Sequence, residues 1–250
     1  MAFLRRRFAG IAAALLTAAL ASTCSAALQP QVEVVGRSLD GRPIECIVYG
    51  DGADVFWLIA TIHGNEASGT PLAQKFAEWL EANPAEIEGR RVVMLPVANP
   101  DGFAENIRFN KNGVDLNRNF PAGNWGEADV KPHGDTPLSE PESRALMRAL
   151  CQYFPSRVVS IHQPLNCIDY DGPAEELARA MAAKCRLPVN KLGSRPGSLG
   201  SFVGVTLKRP IITLELPEDA GMDGQALWKE YGEALVAALR YQPPGAANAR

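Results

Sequence analysis

Val55-Phe-Trp-Leu-Ile-Ala-Thr-Ile62 runs directly into His63-Gly-Asn-Glu66. The first stretch is a nearly continuous apolar run, the pattern of a strand buried on both faces at the centre of a parallel sheet. The second is a tight polar loop that carries an imidazole and a carboxylate three residues apart, with Gly64 to let the chain turn. Residues 70–82 follow as an amphipathic helix with Leu72, Phe76 and Leu80 on one face. Asn83-Pro84 ends it, because the residue before a proline is pushed out of the helical region. Strand, loop and helix in this order build an α/β sheet.

Outward from this unit the same alternation fills the 250-residue chain. Residues 32–36 and 43–49 read as strands joined at Asp40-Gly41, a hairpin signal. Residues 91–97, 158–161 and 210–216 read as further strands, and 174–185 and 224–241 as helices. Ser139-Glu-Pro-Glu142 reads as a helix start, with Ser139 as cap and Glu142 three residues on, the helix running to about Tyr153. Residues 99–124, rich in Asn, Gly and charge, read as loop, and 243–250 as a frayed tail. No internal repeat or low-complexity linker divides the chain. The expectation is one α/β domain over residues 27–250: a mixed, mostly parallel sheet flanked by helices in three layers. Sites in open α/β sheets form at the carboxyl ends of strands. His63 and His162 fall just past two such ends, and Glu215 lies at a third.

The N-terminus differs from the rest. Met1-Ala-Phe-Leu-Arg5-Arg6-Arg7 is basic, residues 8–21 are apolar and alanine-rich, and Cys24-Ser-Ala26 offers small residues for cleavage. This is a secretory signal pattern over residues 1–26, too short for a comfortable membrane span. It predicts export to the periplasm, by the general or the twin-arginine route, without stable membrane insertion after cleavage; an uncleaved anchor is the alternative. A net charge of −3 gives no electrostatic reason to expect nucleic-acid binding. Cys46, Cys151, Cys167 and Cys185 would remain in an oxidising compartment, where three complete disulfide pairings are open to them. Their spacing does not suggest a metal site. Nothing in the sequence sets an oligomeric state.

Two of the three histidines, His63 and His162, stand after apolar strands, with Glu66 beside the first. Two imidazoles and a carboxylate are what a catalytic zinc keeps while leaving a position open for water. Either histidine alone would ordinarily be a hydrogen-bonded core residue, and His-x-x-Glu alone is common. N/O ligands alone do not single out zinc among divalent ions. His133, in Lys-Pro-His-Gly-Asp, reads as a surface residue. Glu215 closes the apolar run Ile211-Ile-Thr-Leu214, where a carboxylate needs an ion-pair partner or a raised pKa. Beside a metal it is a candidate general base. Arg118 and Asn117 can hold a substrate's terminal carboxylate, and Arg108 can stabilise an oxyanion. Together these residues predict metal-dependent amide hydrolysis.

The segments His63-Gly-Asn-Glu66, Asn99-Pro-Asp-Gly102, Gly113-Val-Asp-Leu-Asn-Arg-Asn-Phe120, Ser139-Glu-Pro-Glu142, Ser160-Ile-His162 and Thr213-Leu-Glu215 resemble, in order, those of zinc carboxypeptidases of the carboxypeptidase A type. The resemblance implies that family's fold and one zinc ion per chain. His63, Glu66 and His162 would be its ligands, Glu215 the base, Asn117 and Arg118 the carboxylate clamp and Arg108 the oxyanion arginine. Departures matter: Asn65 stands where many digestive members carry arginine, and Gly197-Ser-Leu-Gly-Ser-Phe-Val-Gly204 lacks their capping tyrosine. The compact length, residues 164–173 and this loop look like the bacterial murein peptide amidase A branch. That branch cuts the γ-D-glutamyl–diaminopimelate bond of cell-wall peptides, so the implied partner is a small peptide. Asp169 and Asp171 carry the charge to meet a distal ammonium. The rivals are an N-acyl amino acid deacylase of the aspartoacylase or succinylglutamate desuccinylase type, a carboxypeptidase on α-linked peptides, and a non-catalytic wall-peptide receptor. The first carries an extra C-terminal domain for which little chain remains after Glu215. The last would be expected to lose a ligand or the base.

Overall fold

The computed structural model describes residues 29–126 and 132–242. The signal-peptide reading of residues 1–26 and the frayed tail read at 243–250 lie outside them. Seven strands form one sheet among the described residues: β1 (Gln31–Arg37), β2 (Pro43–Tyr49), β3 (Asp54–Ala60), β4 (Arg90–Leu95), β5 (Arg157–His162), β6 (Leu165–Asp171) and β7 (Ile211–Pro217). Their order is β1-β2-β4-β3-β5-β7-β6. The four central strands run parallel, and β1, β2 and β6 pair antiparallel at the edges. The helices are α1 (Gly69–Ala82), α2 (Pro100–Glu105), α3 (Pro141–Gln152), α4 (Glu175–Ala182) and α5 (Gly224–Arg240).

Alternation along β3 explains its unbroken apolar run. Phe56, Leu58 and Ala60 pack on one face with residues of α1, α4 and α5. Trp57 and Ile59 pack on the other with residues of α3 and of the loops around Phe120 and Phe202. Three layers result, as expected. At the opposite end of the sheet from the site, the fully buried Arg157 grips Asp54 with two nitrogens at 2.5 and 3.0 Å and donates from Nε to Ala238 O at 2.7 Å. This anchors the last turn of α5 with a cation, where a helix carboxyl end favours one.

Two expectations need correction, and one element was not anticipated. Residues 165–171 form an unanticipated edge strand. Sequence reading assigned no element there; Asp169 and Asp171 alternate with the core residues Ile168 and Tyr170 and line a cavity rather than facing solvent. Residues 99–124 are not all loop: Asn99 caps α2 by accepting from Gly102 N at 3.0 Å, and Leu116–Arg118 forms a 3₁₀ turn. At α3 the cap residue is Glu140, without a side-chain cap. Ser139 and Glu142 are diverted: Ser139 Oγ bonds Glu140, and the fully buried Glu142 accepts from Leu39 N and Asn110 Nδ2. The hairpin at Asp40-Gly41 stands as read, with Gly41 at φ 79°. Cys46, Cys151, Cys167 and Cys185 are all free thiols.

Candidate active site

The site forms where β3, β5 and β7 end. Thr61 leaves β3 at φ 51°, a conformation that costs a β-branched residue on the order of 1–3 kcal/mol. Thr61 is held there by hydrogen bonds from Asn99 N to its carbonyl at 3.0 Å and between its hydroxyl and that of Thr70 at 2.7 Å. The turn throws His63-Gly-Asn-Glu66 across the top of the sheet. A Cβ on Gly64 would lie 2.0 Å from the backbone of Gly102, so only glycine lets the loop sit this close to α2. β5 supplies Ser160 and His162 two residues apart, hence on one face. β7 runs beside it in parallel register, with Glu215 opposite His162 and Thr213 opposite Ser160.

His63, Glu66 and His162 are each buried and bring one donor atom apiece within 4.8 Å of one another. His63 Nδ1 lies 2.8 Å from Glu66 Oε1, and His162 Nδ1 lies 2.8 Å from Glu66 Oε2 and 3.2 Å from His63 Nδ1. The outer nitrogens are occupied: His63 Nε2 by Asp115 Oδ1 at 2.9 Å, His162 Nε2 by Ser160 Oγ at 3.0 Å. Asp115 only accepts, so a neutral His63 carries its proton on Nε2 and turns a lone pair inward. That lone pair faces the Glu66 carboxylate, and only a proton or a cation reconciles the two. The donor set therefore fits a zinc ion, with Asp115 orienting an imidazole as carboxylates do behind metal-bound histidines. Burial opposes ionisation of Glu66, but His162 and His63 outweigh it and hold its carboxyl well below the usual range. Burial likewise works against a charged His63, whose pKa is nonetheless raised by Asp115 and Glu66.

A cavity of about 290 Å³ opens on this cluster and is lined by the candidate metal, catalytic and clamp residues read from the sequence, His63, Glu66, Arg108, Asn117, Arg118, His162 and Glu215, and also by Asp169 and Asp171. Glu215 is 8% exposed and, among the described residues, accepts only a long bond from Leu165 N at 3.4 Å. Burial raises its pKa, with Glu66 adding to the effect and His162 opposing it. Arg118 donates to Asn117 O at 2.7 Å, and among the described residues it has no carboxylate partner. Burial lowers its pKa, and the charges of Arg108 and Arg195 act in the same direction against the pull of Asp115 and Glu66. Asn117 Oδ1 accepts from Leu199 N at 2.8 Å. Arg108 donates to Glu66 Oε1 at 2.9 Å and to Asp115 Oδ2 at 3.0 and 3.2 Å. These bonds use three of its five N–H groups. His133 stands apart from the cavity, edge-on to Trp125.

Sequence reading missed several members. Asp115, Ser160 and Gln163 orient the cluster, the last through a bond from its backbone N–H to Glu66 Oε2 at 3.1 Å. Arg195 and Ser198 line the cavity from a segment with no secondary-structure signal. Asp115 was within reach: it stands two residues before Asn117 and its side chain caps the turn that presents Asn117 and Arg118. No tyrosine lines the cavity among the described residues. Asp115→Asn is expected to weaken zinc binding roughly 10–100-fold, measured by competition with a chromogenic chelator. Unchanged affinity would show that this pair does not orient His63.

The model of the zinc carboxypeptidase family matches residues 18–170. Murein peptide amidase A of Escherichia coli strain K12 is 35% identical over 237 residues, 88% of this chain and 94% of that protein. The Vibrio campbellii protein of the same name is 31% identical over 202 residues, 74% and 77% of the two chains. The crystal structure of murein-tripeptide amidase from Escherichia coli O157 superposes with a TM-score of 0.66 at 31% identity, covering 87% of this chain and 95% of that one. Carboxypeptidase A from Helicoverpa armigera, at 21% identity, shares the fold with a TM-score of 0.72 over 85% and 69% of the chains. The chain belongs to the zinc carboxypeptidase family. It is a zinc metallopeptidase or amidase, and the His–Glu–His cluster suits one zinc ion.

Proposed function

We propose that the chain is an exported zinc amidase that hydrolyses the γ-D-glutamyl–meso-diaminopimelate bond of cell-wall tripeptide. The observation that carries this reading is Arg118, a guanidinium without a carboxylate partner among the described residues, in one cavity with the His63–Glu66–His162 cluster and Glu215. A substrate ending in a free carboxylate satisfies it, and the likeness to murein peptide amidases favours a wall peptide among such substrates.

His63, Glu66 and His162 would hold the metal. Bound zinc would polarise the scissile carbonyl and lower the pKa of a water to near 7. Arg118 and Asn117 fix the α-carboxylate of the residue to be released, which sets the scissile carbonyl over the cluster. Glu215 takes the proton of the attacking water on its carboxylate and returns it to the departing amine. A raised pKa suits both halves of that transfer. Among the described residues Arg108 keeps two N–H groups free after bonding Glu66 and Asp115, and these would be available to the oxyanion as it develops.

Arg118→Ala is expected to lower kcat/KM on carboxylate-ending substrates by roughly 10–100-fold, the worth of a charged hydrogen-bond pair. An equal loss on carboxy-amidated peptides would contradict the clamp. The linkage is tested with L-Ala-γ-D-Glu-meso-diaminopimelate beside its α-linked isomer, following free diaminopimelate by mass spectrometry. Faster release from the γ-linked peptide is expected. Preference for the α-linked isomer would make the enzyme an ordinary carboxypeptidase, and activity on N-acyl amino acids alone would make it a deacylase. Export is tested by N-terminal sequencing of protein from the periplasm of its host, with residue 27 expected first.

A further inference from the structure

The cavity continues past the clamp to a wall built by β6 and the segment before Ser201. β6 turns Asp169 and Asp171 inward, 7% and 5% exposed. Each is held by the opposite segment: Asp169 Oδ1 accepts from Leu192 N at 2.8 Å, and Asp171 Oδ1 accepts from Ser194 Oγ. A Cβ on Gly200 would stand 2.4 Å from Asp171 Oδ2, so glycine there leaves that oxygen its space. Neither acid has a cationic partner within 4 Å among the described residues. Arg195, from the same segment, lines the cavity beside them. Its charge reaches both Asp169 and Arg118, yet among the described residues its guanidinium forms no ion pair or hydrogen bond. Two buried acids and an exposed arginine therefore line one cavity, none paired with another among the described residues. Ordinary surface arginines also lack partners, but this one faces the same cavity as the metal cluster and the clamp.

We propose that Asp169, Asp171 and Arg195 form a second amino-acid subsite that reads the distal centre of the released residue, the acids taking its ammonium and Arg195 its carboxylate. A carbon bearing both groups matches an acid pair with a guanidinium alongside. This rests on the reading above, that the released residue enters this cavity, and it makes Arg195 the determinant that separates diaminopimelate from lysine. Lysine offers the distal ammonium but no second carboxylate.

The test uses zinc-loaded protein and three tripeptides that differ only at the distal centre of the last residue: meso-diaminopimelate, L-lysine (no carboxylate) and L-2-aminopimelate (no ammonium). Wild type is expected to favour diaminopimelate over lysine in kcat/KM on the order of 10–100-fold. Arg195→Ala should collapse that ratio toward one, and Asp169→Asn should collapse the ratio of diaminopimelate to aminopimelate. Equal use of the diaminopimelate and lysine peptides by wild type would overturn the subsite. So would an unchanged ratio in Arg195→Ala. The same series in α-linkage separates the two readings: Arg195-dependent selectivity on α-linked peptides alone keeps the subsite and discards the linkage. Should neither series turn over, calorimetry with free meso-diaminopimelate and free lysine decides. Binding of diaminopimelate that Arg195→Ala does not weaken would then be the contrary result.

Discussion

Glu215→Gln is expected to keep one zinc per chain and lose roughly 10²–10⁴-fold in kcat, the share of rate that a positioned acid–base group supplies. The substitution keeps the shape of a side chain that is only 8% exposed. It also keeps an oxygen for Leu165 N, the one hydrogen bond the carboxylate accepts among the described residues. What it removes is the capacity to take and return a proton. KM should move little, since the clamp and the metal ligands stay in place. Metal analysis and steady-state kinetics on one preparation check this. Near-normal kcat would remove Glu215 from the reaction, and loss of zinc with activity would make it a ligand instead.

Glu66→Gln carries the other large effect. Glu66 is the anionic member of the cluster, 2.8 Å from a nitrogen of each histidine, and Arg108 and the backbone of Gln163 orient it. An amide in its place keeps volume but loses the charge, and turns N–H groups toward positions where acceptors now converge. The loss of metal affinity should exceed the roughly 10–100-fold expected for changes behind the ligands. After dialysis the variant should hold little zinc and show no turnover, with a far-ultraviolet spectrum like that of wild type. Full zinc occupancy would assign the third ligand elsewhere.

The parts of this molecule that follow from local rules were legible in its sequence. β3 reads from its apolar run, α1 from its periodicity, and the β1–β2 turn from Asp40-Gly41. His63, His162 and Glu215 were legible because each stands at or just past the end of an apolar strand, where a polar residue needs a reason, and Glu66 because it follows His63 by three residues in the same tight loop. The structure brings all four to one cavity. What escaped depends on tertiary placement. β6 alternates polar and apolar like a strand beside water, but its polar side is an interior wall, and its pairing with β7 is non-local. Ser139 and Glu142 spell a capping box that the fold spends on buried contacts to Glu140, Leu39 and Asn110. Arg195 has no local signal, since its significance arises only from lining the same cavity as Asp169 and Asp171.

The most direct measurement is release of diaminopimelate from L-Ala-γ-D-Glu-meso-diaminopimelate by purified mature protein, before chelation, after chelation, and after zinc is restored. The expected result is one zinc per chain, release by the untreated enzyme, loss with the chelator and recovery with zinc. Release that persists in protein shown to be free of metal would contradict a zinc-dependent amidase. So would the absence of release from protein shown to hold one zinc.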